Sequence, residues 1–252
     1  MGNPFDLGGA LALVTGGGTG LGFGICRAIK NAGGRIVMTG RREDVLKAAC
    51  VQLGEGVFYI RHDVTELASI PGLVEEIESQ FGPIDILINN AGQTIKKPAL
   101  ETTDGEFESI ITTHVFGSFA LSRECGKRMI DRGRGSIIMI LSMTSLMGMP
   151  LVVAYSTAKS ALLGMVRTLA SELSPGGVRV NGIAPGWITT PLTRKTIDAD
   201  PERKRKVLAR TPMGKMGEPD DVGCAAVYLS SPAAKFVTGI VLPIDGGASI
   251  GF

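Results

Sequence analysis

The chain is poor in aromatics, cysteine and histidine, and it has no long hydrophobic run. Its four cysteines, Cys26, Cys50, Cys125 and Cys224, are scattered with no Cys-x-x-Cys, and His62 and His114 are the only imidazoles. Structural zinc is therefore not expected, no metal ligands are assigned, and the thiols read as reduced ones in a cytoplasmic protein. No apolar run reaches the ~18 residues a membrane helix needs, and Met1 to Leu7 lack the basic start and apolar core of a secretory signal. Nor is there an excess of one charge: the formal net charge is +2 with the signs interspersed, and nothing points to nucleic acid. The densest basic run, Arg203 to Lys206, lies beside Asp198, Asp200 and Glu202 and reads as the solvated face of a mobile helix or as a phosphate site.

Glycine, by contrast, is abundant. Thirty-five glycines in 252 residues, with only 5% aromatics, suit the tight turns and close backbone approaches of an α/β fold that binds a nucleotide. A short apolar run, Leu11 to Val14, ends in Thr15-Gly16-Gly17-Gly18-Thr19-Gly20-Leu21-Gly22 and is followed by helical periodicity to Asn31. Strand, glycine turn and helix in that order make a dinucleotide site, because bare backbone N–H groups and a helix N-terminus can face a pyrophosphate. The second strand, Arg35 to Thr39, ends in Gly40-Arg41-Arg42 where an NAD enzyme places an acid on the ribose 2′-hydroxyl. A glycine that leaves room and guanidinium forks suited to a 2′-phosphate favour NADP over NAD, although NAD stays possible. The other reading makes the arginines solvated surface before the acidic first turn, Glu43 and Asp44, of the next helix.

Val57 to Ile60 reads as a third strand, with Asp63 and Val64 just beyond it; the carboxylate either bonds the adenine or caps the next helix. Helical periodicity from Ile70 to Phe81 stops at Gly82-Pro83, and Ile84 to Ile88 leads into Asn89-Asn90-Ala91-Gly92. A long helix is expected over Phe107 to Met129, with Gly117 placed for a close backbone approach, and a fifth strand over Ser136 to Leu141 delivers Ser142. The helix read over Leu151 to Leu173 carries Tyr155 and Lys159, four apart and so on one face. A cation beside a phenol stabilises the phenolate and lowers the tyrosine's pKa toward a range where it can exchange protons with an alcohol or ketone. Val178 to Ile183 is a sixth strand, residues 191–216 read as a polar lid over substrate, and a helix over Asp220 to Leu229 and a strand over Gly239 to Pro243 follow. The alternation predicts one α/β domain over residues 1–252, a doubly wound parallel sheet of about seven strands flanked by helices.

With these motifs in hand, the chain resembles the classical short-chain dehydrogenase/reductase family over nearly its whole length, in Thr15-Gly-x-x-x-Gly-x-Gly22, Asp63, Asn89-Asn-Ala-Gly92, Ser142, Tyr155-x-x-x-Lys159, Pro185-Gly186 with Thr190, and Asp245-Gly246-Gly247. The resemblance implies a Rossmann-type fold in which Tyr155 is the general acid/base, Lys159 tunes it and bonds the nicotinamide ribose, and Ser142 polarises the substrate oxygen. It also implies cofactor contacts from Gly16, Gly18, Thr19, Gly20, Leu21, Gly22, Arg41, Arg42, Asp63, Val64, Asn90, Ala91, Gly92, Tyr155, Lys159, Pro185, Gly186, Ile188 and Thr190. One position departs: the family's asparagine, which holds a water on the proton path to the lysine, is His114 here. An imidazole can hold that water or relay a proton itself, or it is a buried ring with no catalytic role.

Flanking stretches such as Pro185-Gly-Trp-x-Thr-Thr-Pro191 resemble gluconate 5-dehydrogenase and its sugar-acid and polyol relatives, which makes Arg194 or Lys195 a partner for a substrate carboxylate. Leu146, Met147, Met149, Leu151 and Trp187 either line an apolar pocket or only pack the lid, which keeps a lipophilic ketone or a 3-oxoacyl-thioester reductase open. A nucleotide-binding sensor without turnover is the reading from another class. The resemblance further implies a homotetramer, with the Phe107 to Met129 and Leu151 to Leu173 helices making one interface; Ser249 to Phe252 is a further candidate for contact with a neighbouring subunit.

Overall fold

Runs of branched apolar residues become β1 (Leu11–Thr15), β2 (Arg35–Gly40), β3 (Val57–Arg61), β4 (Ile84–Asn89), β5 (Gly135–Ile140), β6 (Val178–Pro185) and β7 (Val241–Ile244). The computed structural model describes residues 2–191, 193 and 200–251, apart from the Arg203 side chain. The strands pair in parallel in the order β3-β2-β1-β4-β5-β6-β7. Helices α1 (Gly20–Asn31), α2 (Glu43–Leu53), α3 (Ile70–Phe81), α4 (Asp104–Ile111), α5 (Gly117–Asp131), α6 (Val153–Leu173), α7 (Pro201–Arg210) and α8 (Pro219–Ser230) connect and flank them. This is the Rossmann-type fold the alternation called for. No helix among the described residues is long and apolar enough to cross a membrane.

The period of two in each strand divides the core between the two faces. Leu11, Leu13, Ile137 and Met139 face one cluster, with α3, α5 and α6; Ala12, Val14, Ile138 and Ile140 face the other, with α1, α2 and α8. Burial on both sides explains why these strands read as continuous apolar runs rather than as alternating ones.

Three expected boundaries move, each for a local reason. The long helix expected over 107–129 starts at Asp104, where Thr103 and Glu106 form a capping box: Glu106 N–H donates to the threonine hydroxyl at 3.3 Å, and its carboxylate accepts the Thr103 N–H at 2.8 Å. It is also interrupted by a wide π turn at Thr112–Phe116 before it resumes as α5. The helix bearing Tyr155 begins at Val153 rather than Leu151, because Leu151 holds a left-handed φ of 71°. β7 begins at Val241, two residues beyond Gly239, whose φ of 76° lies outside the strand region. Gly117 does meet a backbone, since a Cβ there would stand 2.7 Å from the Val64 carbonyl.

Candidate active site

Strand order reverses between β1 and β4, so a crevice opens at the carboxyl ends of those two strands. Thr15, the last residue of β1, ties the rims together. Its hydroxyl oxygen accepts the N–H groups of Asn90 at 3.0 Å and Ala91 at 2.9 Å, and donates to the Ile88 carbonyl at 3.3 Å. Asn90 replies through its side-chain amide, which donates to the carbonyls of Thr15 at 2.9 Å and Gly16 at 3.2 Å. Only glycine fits at 22, where a Cβ would lie 2.2 Å from the Gly16 carbonyl oxygen. α1 starts directly after the turn with no side-chain cap from Thr19, which leaves first-turn amides for an anion. These residues form a bare, amide-lined cradle that fits a dinucleotide pyrophosphate.

Farther along the crevice, Arg41 and Arg42 are exposed at the end of β2, and Glu43 and Asp44 form the acidic first turn of α2. The two readings of this stretch are therefore compatible. Asp63 turns back on its own loop, accepting the N–H and hydroxyl of Thr65 at 3.0 and 2.9 Å, while α3 is preceded by Ser69. Its carboxylate closes a local turn and does not cap that helix.

β5 delivers Ser142 beside the Tyr155 phenol, and its hydroxyl oxygen accepts the Thr144 N–H at 3.2 Å. Burial raises the phenol above its ordinary pKa, and the nearby Ser142 hydroxyl acts against that rise. The direction is opposite to the sequence expectation, and the reason is where Lys159 points. Its ammonium donates to the Ile140 carbonyl at 2.5 Å and stands 5.6 Å from the Tyr155 ring centroid. Burial pulls Lys159 itself down to about 7, so near neutral pH this site holds only part of a positive charge.

His114 sits in the π turn and is 2% exposed. Its Nε2 lies 3.1 Å from the Gln93 backbone nitrogen and 2.8 Å from the Gln93 carbonyl oxygen, whereas its buried Nδ1 has no hydrogen-bond partner among the described residues. Burial and then the nearby Lys159 lower its pKa to about 3, against the bond to Gln93, so the ring is neutral at physiological pH. Gly92 is packed against it, and a Cβ there would meet the imidazole Cε1 at 2.1 Å.

On the opposite wall, the Gly186 N–H donates to the Ile244 carbonyl at 3.0 Å, and Ile188 is buried and bridged to Gly217. Thr193 fixes Thr190: its hydroxyl oxygen accepts the Thr190 N–H at 2.7 Å and donates to the Ile188 carbonyl at 2.6 Å. Thr190 lies beside the glycine turn, its Cβ and Cγ2 3.6 Å from where a Cβ on Gly20 would be.

Ser142, Tyr155, Lys159, His114, Asn90 and the glycine turn thus converge on one rim of the sheet. The apolar loop does not join them. Leu146, Met147, Met149 and Leu151 line a cavity of about 730 Å³ with Ser156, Thr157 and Ser160, and Ser156 to Ser160 on that wall lie roughly 100–200° around the helix from Tyr155. The cavity therefore opens on the face of α6 away from the phenol, and Trp187 takes no part in lining it. This corrects the apolar substrate pocket expected from sequence. Arg194 and Lys195 lie outside the described residues. Sequence reasoning missed Gln93 and Thr193. The Thr-x-x-Thr spacing of 190 and 193 is a side-chain-to-backbone signal that was available, but nothing in the sequence marks Gln93, which acts through its backbone.

Comparison with known proteins agrees with this geometry. A family model described as enoyl-(acyl carrier protein) reductase matches residues 16–249. The chain is 39% identical over 249 residues to galactitol 2-dehydrogenase (L-tagatose-forming) of Cereibacter sphaeroides, covering 98% of this chain and 97% of that one. It is 34% identical over 253 residues to gluconate 5-dehydrogenase of Gluconobacter oxydans, with 98% and 97% covered. Among solved structures, gluconate 5-dehydrogenase of Burkholderia cenocepacia in complex with NADP and tartrate superimposes with a TM-score of 0.94 at 30% identity, over 99% of this chain and 98% of that one. Glycine turn, serine, tyrosine and lysine in this arrangement, together with full-length similarity to such enzymes, make the chain a member of the short-chain dehydrogenase/reductase family of oxidoreductases.

Proposed function

We propose that the protein interconverts a secondary alcohol and a ketone on a polyhydroxylated substrate, a sugar acid or polyol, with NADP(H). The observation that carries this reading is the convergence of the Ser142 hydroxyl, the Tyr155 phenol and the Lys159 ammonium, which stands 5.6 Å from the phenol ring centroid, on the rim that holds the glycine turn. Bound NADP(H) supplies or takes up the hydride. In the reductive direction Tyr155 gives its proton to the oxygen on which charge grows, and Ser142 donates a second hydrogen bond to that oxygen. Lys159 stands 5.6 Å from the phenol ring centroid and, with its pKa pulled to about 7, gives or accepts a proton near neutral pH. His114 takes part as a neutral ring whose Nε2 bonds the Gln93 backbone; its low pKa argues against a charged relay.

Gly16, Gly18, Thr19, Gly20, Leu21 and Gly22 would hold the pyrophosphate, Asp63 and Val64 the adenine, Arg41 and Arg42 the 2′-phosphate, and Asn90, Ala91, Gly92, Pro185, Gly186, Ile188 and Thr190 the nicotinamide end. NADP in the Burkholderia cenocepacia relative supports the cofactor, and the names of the galactitol and gluconate enzymes support the substrate class. Residues 191–216 serve as the lid; α7 within them is polar, and Arg210 at its end reaches Met147 Sδ at 3.7 Å. A homotetramer is supported by Phe116 and Phe119, 49% and 43% exposed on the π turn and α5, and by Leu146, Leu151 and Val153 on the far side of α6. Free Cys26, Cys50, Cys125 and Cys224 support a cytoplasmic location. The test is a panel of gluconate-type acids, hexitols, simple ketones and acetoacetyl thioesters with NADP(H) and NAD(H). Turnover confined to thioesters would replace this reading with acyl-carrier chemistry, and tight cofactor binding with no turnover on any substrate would favour a sensor.

A further inference from the structure

The end of β3 carries a third arginine beside the pair that follows β2. Parallel register puts Arg61 opposite Gly40, and its Nε donates to the backbone carbonyl of Arg41 at 3.2 Å. That bond leaves the two terminal nitrogens of the guanidinium without a partner among the described residues. One first-turn acid of α2 is already engaged: the Glu43 carboxylate accepts from the Tyr59 hydroxyl at 3.4 Å. Arg42 precedes α2 as its N-cap with no side-chain cap bond, so the positive end of α2 adds to the same field. The glycine turn touches this place, since a Cβ on Gly18 would stand 3.1 Å from Val45 Cγ1 in the first turn of α2. A nucleotide lying on the glycine turn therefore has three guanidinium groups alongside its adenosine end.

We propose that Arg61 is a specificity-determining residue for the 2′-phosphate of NADP(H). Its Nε–H holds the Arg41 turn in place, and its terminal N–H groups bind the phosphate. The planar guanidinium can do both at once, whereas an ammonium, a point charge on a flexible stem, cannot. The inference rests on the NADP reading above, and it adds a residue from the end of β3.

Isothermal titration calorimetry of the wild type, Arg61→Met and Arg61→Lys with NADP⁺, NAD⁺ and adenosine 2′,5′-bisphosphate tests it, with circular dichroism as the check on folding. Arg61→Met is expected to weaken NADP⁺ and the bisphosphate about tenfold, the size of one lost charge-assisted contact, and to leave NAD⁺ within about twofold. Arg61→Lys should recover only part of that loss, because it keeps the charge and loses the bond to Arg41. Unchanged NADP⁺ affinity in Arg61→Met, or an equal fall for NAD⁺, overturns the assignment. A wild type that prefers NADP⁺ while the variant keeps that preference removes Arg61 alone; a wild type without the preference removes the cofactor reading and this inference with it.

Discussion

The imidazole of His114 meets the phenol ring of Tyr155 edge to face, with centroids 5.5 Å apart and planes at 83°. That contact, together with the bond between Nε2 and the Gln93 backbone, makes His114 a wedge between the Gly92 turn and α6. The ring can orient the phenol without carrying charge.

Gly92→Ala should expose the wedge. The added methyl collides with the imidazole, and overpacking of this kind costs about 1–3 kcal/mol. Urea denaturation should show that loss in the wild-type background and less than half of it when His114→Ala is also present. A loss of equal size in both backgrounds would place the strain elsewhere.

His114→Asn should keep turnover and leave the pH profile of kcat/KM between pH 6 and 9 unmoved, because the imidazole is already neutral there. Its effect lies in acid stability. With a folded pKa of about 3 against an ordinary 6.5, the unfolded chain binds a proton that the folded one refuses, so stability falls as pH drops from about 6.5 toward 3. The asparagine variant should unfold at lower pH than wild type, and His114→Ala should lower kcat at constant fold. An alanine variant at full rate would leave His114 as packing only.

Tyr155→Phe should cut turnover by roughly 10²–10⁴, the usual worth of a positioned proton donor. NADP⁺ affinity by calorimetry should stay within about twofold of wild type. Undiminished turnover would mean that another group moves the proton.

Much of this was legible because parallel strands buried on both faces announce themselves as apolar runs, and because each motif sits where such a run ends. Thr15, Asn90, Ser142 and Pro185 all follow that rule. The π turn was not legible: residues 112–116 stay right-handed on both sides, and the sequence carries no proline to mark the extra residue. Arg61 escaped because an exposed residue at a strand end belongs to no apolar period. The loop from Leu146 to Leu151 misled because hydrophobicity reports burial in some cavity, and only three-dimensional position shows which face of α6 that cavity serves.

Lys159→Met should separate stability from activity. Burial holds the lysine at about 7, below its ordinary 10.5, so between those values the unfolded chain keeps a proton that the folded chain has lost. Stability from this group therefore rises with pH across that window, and the cost is fully present below about pH 7. The methionine variant should melt above wild type at pH 6.5, with the gap closing by pH 10, and should show no turnover. A gap that does not change with pH would mean that packing, not the buried amine, sets the difference.

Thr193→Val should weaken cofactor binding while sparing the chemical step. Losing the hydroxyl leaves the Thr190 N–H without its acceptor, worth about 1 kcal/mol. KM for NADP(H) should rise about fivefold with kcat near wild type. A fall in kcat at constant KM would instead place Thr193 in the proton path.

The single hydroxyl of Thr15 has a dynamic consequence. Because it binds amides from β4's exit while standing at β1's exit, neither loop can loosen without releasing the other. Amide hydrogen exchange at Asn90 and Ala91 should then slow or quicken in step with that of the glycine turn, so that both halves of the nucleotide crevice open as one cooperative unit.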